Sequence, residues 1–509
     1  MRLLAALRQD LAFQYRHGFL YAYGMVTLLL IVVLVNVPQQ LKPMVATLLI
    51  FSELTSMGTF FVCGIVLLER GQGTLDHLAV TPLRLWEYLS ARGLALTILG
   101  VIAATAVAMS AFGPEFSLPL LILGVGLTSL AFTILGLMAS SRITSMSQLF
   151  TTGIPILIPV VLLLGMAPGV HYALREGAAA HPLMEVVPGT AALTLIGGAF
   201  RGVEPLRAAL ATLVLCAWTG AAFAAAHTWF CRHAIAGAPA GAEPPPVSIA
   251  PRRAGVSVGR RRRPTSTSRV ISLLRVDMRS ALRDPFLLLC LLIPLMLAAA
   301  IRFGVPALRE QLVTMWAIDI TPYYDLITAF QVLLVPLTVG GLVGFIVLDE
   351  RDEGAMLQLA VSPLGHAGYL AYRVALPAVV GFTGGTAGLA LSCLLPLPHL
   401  RLVMLMAVAS LGAPLLTLIL ASFAPSKVEG LALNKVAGSI LVVPVAAYFL
   451  PKSWEAVMLP LAPYWVMRAV QTAPGPILPF VTYTALAAAA NFLWLALVFR
   501  VFTMRLHHR

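Results

Sequence analysis

Twelve stretches of this chain run for about 17–25 residues almost without charge: 19–37, 44–68, 88–112, 118–140, 148–167, 206–230, 285–301, 324–348, 370–396, 401–422, 434–450 and 477–500. That length matches a hydrocarbon layer of about 30 Å. Lipid offers the backbone no water, so each N–H and C=O must pair inside its own segment, and such runs are helices. Composition agrees, with 59% hydrophobic and 11% charged residues, where soluble domains carry about 25% charge. The chain is expected to be an all-α polytopic membrane protein with twelve transmembrane helices.

The runs divide into two sets marked by a repeat. Residues 65–92, IVLLERGQGTLDHLAVTPLRLWEYLSAR, align without a gap with 346–373, IVLDERDEGAMLQLAVSPLGHAGYLAYR, at an offset of 281. Ile65, Val66, Leu67, Glu69, Arg70, Gly73, Leu78, Ala79, Val80, Pro82, Leu83, Tyr88, Leu89 and Arg92 each meet an identical residue. Each copy lies between the second and third run of its set. An amphipathic segment opens each set, 3–20 and 273–287, with arginines between apolar residues at helical spacing, as in a helix lying in the membrane interface. The second half has about 14 more residues before its repeated loop, assigned to the connection around Arg302–Tyr323. His181-Pro182-Leu183 matches Ala462-Pro463-Tyr464 at the same offset, each before the last run of its half. These Pro-broken, moderately apolar stretches are read as short re-entrant helices. The expected organisation is a first half at 1–234, a linker at 235–269 and a second half at 270–509. The linker, rich in Pro, Gly, Ser and Arg, cannot bury a core.

The net charge of +13 raises nucleic acid as a partner, and its distribution dismisses it. With the N-terminus inside and the runs alternating, 25 of the 34 Lys and Arg fall on the cytoplasmic side and 9 outside, the positive-inside bias of an oriented bundle. Both termini and both repeated loops are then cytoplasmic. The first run is span-length and lacks a convincing small-residue cleavage site, so it is expected to remain as an anchor. The five cysteines show no paired spacing and read as small buried hydrophobes. No HExxH, metal-ligand cluster or nucleophile elbow points to an enzyme.

The repeated loop has its own logic. Gly71 and Gly73 permit a turn after Glu69-Arg70, Thr74 can cap a short helix, and Thr81-Pro82 stops it. Leu75, Leu78 and Ala79 then share one face. In the second copy Glu350, Arg351 and Gly354 persist, Ala355 replaces Thr74, and Ser362-Pro363 supplies the stop. A short helix with an apolar face outside the membrane suits a groove on a soluble partner. A tight connecting loop is the alternative, and it gives no reason for the likeness between halves.

The pattern Glu69, Gly73-Thr74-Leu75, Leu78, Val80-Thr81-Pro82 resembles the ABC-2 family of exporter permeases. The opening LLAALRQDLAFQYRHGF, the block GIVLLERGQGTLDHLAVTP and the stretch HPLMEVVPGTAALTLIGG resemble its fluoroquinolone export permease branch. The likeness covers nearly all of the first half; the second is more divergent, with Glu353 and Ala355 in place of Gln72 and Thr74. The resemblance implies two tandem, parallel six-helix halves of the type V exporter kind, fused here in one chain of the bacterial cytoplasmic (inner) membrane. It implies an ATPase-coupling role for Glu69, Arg70, Gly73, Thr74, Leu75, Leu78, Pro82, Glu350, Arg351, Gly354, Leu359 and Pro363. It also implies a path lined by the second and fifth spans of each half. No GxxxxGK[ST] occurs, so ATP and Mg would be used by two copies of a separate ABC ATPase subunit, and this chain itself would bind no cofactor.

Ionisable groups within spans are costly and are functional suspects. Glu53 lies nine residues into the second run, about 13 Å from its outer end. It either meets a cationic or zwitterionic small molecule in the path, or is a carboxyl satisfied by Ser52, Ser56 or Thr59. Gln331 is a second path candidate, with Asn36, Asn434 and Asn491 read as helix–helix hydrogen bonds. Two function classes follow. One is the permease of an ATP-driven exporter of an amphipathic small molecule, a drug-like compound or a lipid. The other is an ion-gradient-driven secondary transporter with Glu53 as proton relay; the parallel halves and the repeated loop favour the first.

Overall fold

The computed structural model describes residues 2–37, 39–40, 42–73, 84–141, 143, 148, 186–230, 285–316, 319–352, 365–449 and 455–507. Every regular element among them is helical. In the first half these are α1 (Arg2–Arg16), α2 (Phe19–Asn36), α3 (Lys42–Gly71), α4 (Leu85–Phe112), α5 (Leu118–Ser140), α6 (Pro188–Arg201) and α7 (Pro205–Phe230). The second half has α8 (Pro285–Ala299), α9 (Val305–Trp316), α10 (Tyr324–Asp352), α11 (Gly365–Ser392), α12 (His399–Ala409), α13 (Gly412–Phe423), α14 (Lys427–Gly438), α15 (Val442–Phe449), α16 (Glu455–Met458), α17 (Ala462–Thr472) and α18 (Ile477–His507). Ten helices among the described residues are long and apolar enough to cross a membrane, and the α1–α2 pair, bent by 69°, makes up to eleven. The bend falls at Gly18, whose φ of +76° suits a residue without a Cβ. The expected run 148–167, the linker 235–269 and the second amphipathic segment up to residue 284 lie outside the described residues.

Three boundaries depart from the sequence reading. The extra residues of the second half do not form a loop: helix continues from α8 through a π turn at Ala300–Gly304 into α9. Arg309 on α9 pairs with Asp319 at 2.8 Å, and Asp319 also accepts from the Thr321 N–H at 3.0 Å, so the charges that break the apolar run staple its end. The run at 434–450 begins seven residues earlier, at Lys427, where the Ser426 hydroxyl caps the helix by accepting from Glu429 N–H at 3.3 Å. Hydropathy hides that first turn because Lys427 and Glu429 are polar, but both find partners: Asp349 at 2.7 Å and His17 at 3.1 Å. Finally, the helix before the last span starts at Pro188 in the first half and at Ala462–Pro463 in the second. The structural match to Pro463 is therefore Pro188, six residues later than the sequence alignment placed it; His181–Leu183 lie outside the described residues. In α6 every residue from Pro188 to Ala199 is buried, so it is packed within its half.

In each half the second span packs closely on the fourth. A Cβ on Gly136 of α5 would reach the Thr59 Cα on α3 at 2.9 Å. In the second half the roles exchange: Thr417 of α13 donates to the Gly340 carbonyl on α10 at 2.9 Å. Positions 59/136 and 340/417 are related by the repeat offset. The halves also share cores. Cys63, Leu67 and Ile143 bury against Leu342, Phe345, Leu348, Ala424 and Leu431, while Phe19, Tyr23, Phe61 and Ile65 enclose Ala432. Apolar burial of this kind does not separate helices from lipid, so close approach and polar pairing carry the association.

Candidate functional site

The last turns of α3 and α10 carry the repeated Glu-Arg pair, and both halves place it alike. The Arg70 guanidinium donates to the Ile143 carbonyl at 2.7 Å and the Ser141 carbonyl at 2.9 Å, just past the end of α5. Arg351 donates to the Ala424 and Pro425 carbonyls, both at 2.9 Å, just past the end of α13. Ile143 and Ala424 are each 73 residues beyond their arginine. The neighbouring acids repeat too: Glu69 pairs with Arg92 of α4, and Glu350 pairs with Arg373 of α11. Each second span is thus tied to the third by its Glu and to the end of the fourth by its Arg, so the chain leaves it in a fixed direction. Gly73 follows with φ +69°, the left-handed backbone a turn needs.

The first half adds a third tie. Arg92, 2% exposed, also pairs with Asp10 of α1 at 3.3 Å, and Tyr88 donates to Glu69 at 2.6 Å. Burial raises the Asp10 carboxyl to about 6, with Arg92 opposing the rise and Glu69 adding to it. The amphipathic helix is therefore bound through Arg92 to the loop end of α3.

Glu53 has a partner that the sequence reading missed. Lys435, on α14 of the other half, sets its Nζ 3.2 Å from Glu53 Oε2 and 3.1 Å from the Ser56 hydroxyl. Glu53 Oε1 is buried and has no hydrogen-bond partner among the described residues. Glu53 also borders a narrow cleft between α2, α3 and α4, with room for about one water-sized group and lined by Tyr23, Thr27, Gly100 and Ala104 among others. Gln331, 2% exposed, donates to the Gly388 carbonyl of α11 at 3.2 Å. The structure thus gives it the helix–helix bond expected of the asparagines and does not bring it to Glu53. Asn491 behaves as expected, donating to the Val408 carbonyl at 3.3 Å. Lys435 escaped notice because it stands one residue inside an apolar run, where a lysine reads as a snorkelling end.

Of the coupling residues named above, Glu69, Arg70, Gly73, Glu350 and Arg351 are placed; Thr74, Leu75, Leu78, Pro82, Gly354, Leu359 and Pro363 lie outside the described residues. Among the described residues no group of three or more His, Cys, Asp or Glu could hold a metal ion.

Comparison with known proteins follows the same division. Residues 1–238 match the model of the fluoroquinolones export permease protein family, and residues 277–499 match that of the fluoroquinolones export permease protein Rv2686c-like family. Fluoroquinolones export permease protein Rv2687c of Mycobacterium tuberculosis (strain ATCC 25618 / H37Rv) is 32% identical over 203 residues, 40% of this chain and 83% of that protein. Fluoroquinolones export permease protein Rv2686c of the same strain is 31% identical over 199 residues, 38% of this chain and 79% of that protein. No solved structure matches. Two permease models on one polypeptide, one per half, and relatives matched over most of their own length place the chain in the fluoroquinolones export permease family.

Proposed function

We propose that this chain is the membrane permease of an ATP-driven ABC exporter, with the two permease halves that make one translocation unit fused in a single polypeptide. Its twelve spans form two parallel six-helix halves about an axis along the membrane normal, with both termini in the cytoplasm of a bacterial cell and the unit in the inner membrane. Two separate ATPase subunits dock beneath the loops after α3 and α10, using ATP and Mg that this chain does not bind. The cargo is an amphipathic small molecule of the drug-like kind that names the relatives, and Glu53 stands on its path.

The observation that carries this reading is the doubled latch. Arg70 and Arg351, with Glu69 and Glu350, hold two second spans at the same register. A force applied to either loop would pass through these ties to three spans at once. A secondary transporter has no need of two identically braced loops outside the bilayer.

The test replaces both Leu75 and Leu78 with Asp. We expect the chain to insert and fold, with ATPase binding weakened roughly tenfold or more, as for removal of a central apolar contact, and export lost. Full complex formation and normal export in that variant would contradict docking at this loop.

A further inference from the structure

We propose that the exposed side of α1 is a docking surface for phospholipids with a net negative headgroup, held by Arg8 and Arg16 beside an apolar stripe that lies among the acyl chains. Such docking is separate from cargo transport and needs only that the chain spans a membrane.

The two sides of α1 are unlike. Its one acid, Asp10, is buried with Gln14 on the side that meets α4, where Asp10 pairs with Arg92. On the other side Leu4, Arg8, Leu11 and Tyr15 follow one another at steps of four, three and four residues, a single helical stripe. All four are exposed, Leu4 at 69% and Tyr15 at 60%. Arg16, also exposed, stands next round the helix from Arg8, away from the buried side. No carboxylate of α1 shares this side. Exposed Leu and Tyr bordered by arginines are poorly placed in water and costly deep in hydrocarbon, and they suit the layer between the two.

The fold puts α1 at that layer. The helix turns from α2 by 69°, so with α2 across the bilayer it runs nearer the membrane plane than the normal. Its level is fixed through Arg92, which also holds Glu69 in the last turn of α3. The first turn of α4, the helix on which α1 packs, exposes Arg84 and Trp86, residue types that mark the edge of a bilayer. Where α1 ends, Glu429 of the second half is taken up by His17 at 3.1 Å.

Charge then selects among lipids. A zwitterionic headgroup carries its own cation beside the phosphate. An anionic one leaves that phosphate to the protein, and a guanidinium can meet it with two N–H donors. Each basic side chain at an anionic surface favours binding by roughly fivefold. Because Asp10 and the arginines stand on opposite sides of α1, the lipid contact and the Arg92 cluster fix one helix from both sides.

The experiment places the full chain in nanodiscs of mixed phosphatidylcholine and phosphatidylglycerol. These carry a trace of photoactivatable phosphatidylglycerol or, separately, of photoactivatable phosphatidylcholine. After illumination, lipid attached to residues 2–16 is measured by peptide mass spectrometry, with the lipid-facing α7 as reference. In the wild type the anionic probe should label α1 at least fivefold more than the zwitterionic one, relative to α7. Arg8→Gln/Arg16→Gln should bring that ratio close to one, and Arg8→Lys/Arg16→Lys, which keeps the charge, should retain it. The wild-type comparison needs no variant, so it decides even where a double variant misfolds. Equal labelling of α1 by the two probes in the wild type overturns the proposal. So does a preference that survives in the glutamine variant, or one that the lysine variant loses as fully as the glutamine variant does.

Discussion

Arg92 stands with Glu69 on one side, Asp10 at 3.3 Å on another, and the rings of Phe13 and Tyr88 at 5.8 and 5.4 Å. Its charge is shared by three helices. Removing one member of a buried ionic cluster costs about 3–5 kcal/mol, because the remaining charges keep their desolvation penalty and lose their counterion. Arg92→Met should therefore lower the melting temperature in detergent sharply, and a melt equal to wild type would show that the cluster is not structural. Asp10 gives this cluster a pH dependence with a definite sign. Its folded value of about 6 lies above the ordinary 3.8. Between the two, the folded state keeps a proton that the unfolded chain has released, so stability falls as pH rises through that window and levels off above about 6. Wild type should lose more melting temperature between pH 5 and pH 7 than Asp10→Asn does. Identical losses would mean that Asp10 does not titrate there.

The helices were legible where their physics is local, and obscured where it is not. Runs without charge anticipated the ten membrane-length helices among the described residues, because a lipid-buried backbone has one way to pair. Lys427 and Glu429 concealed the first turn of α14, since their partners are distant in sequence: Asp349 on α10, and His17 at the α1–α2 bend of the other half. The residue-level repeat anticipated the Glu69/Glu350 and Arg70/Arg351 correspondence, but not that both pairs turn inward to neighbouring spans. That inward turn gives the ends of α3 and α10 a bracing role beside the docking proposed for the loops that follow them. Helix contact also explains an exchange that alignment scores as a mismatch. Thr59 faces Gly136 in one half, Gly340 faces Thr417 in the other, and each pair needs one small residue. A Cβ on Gly340 would come within 2.8 Å of the Ala413 Cα, which is backbone and cannot yield. Gly340→Ala should destabilise by about 1–3 kcal/mol. Gly412→Ala, where nothing lies within 4 Å, is the control; equal melts for the two variants would contradict the close packing.

At the scale of the molecule, the two halves are joined by charged and apolar contacts that cross between them. Second-half residues reach into the first half at Glu429 with His17, Lys435 with Glu53, and Ala432 within the Phe19–Phe61 core. All three lie on α14, so this helix couples the halves through two charged contacts and an apolar one, beside the core that α3 shares with α10. Such a joint was beyond a reading of the sequence, because pairing across some 380 or more residues leaves no local signature, as the separations of 382 and 412 residues show. The duplication itself was plain, and from it follows the central claim, that one polypeptide supplies both permease halves and both docking loops. The most direct measurement is the mass of the complex assembled with the cognate ATPase and held in a hydrolysis-deficient, ATP-bound state, determined by native mass spectrometry. One permease chain with two ATPase subunits is the expected result. A complex with two permease chains for two ATPase subunits, or with one ATPase per permease chain, would contradict it.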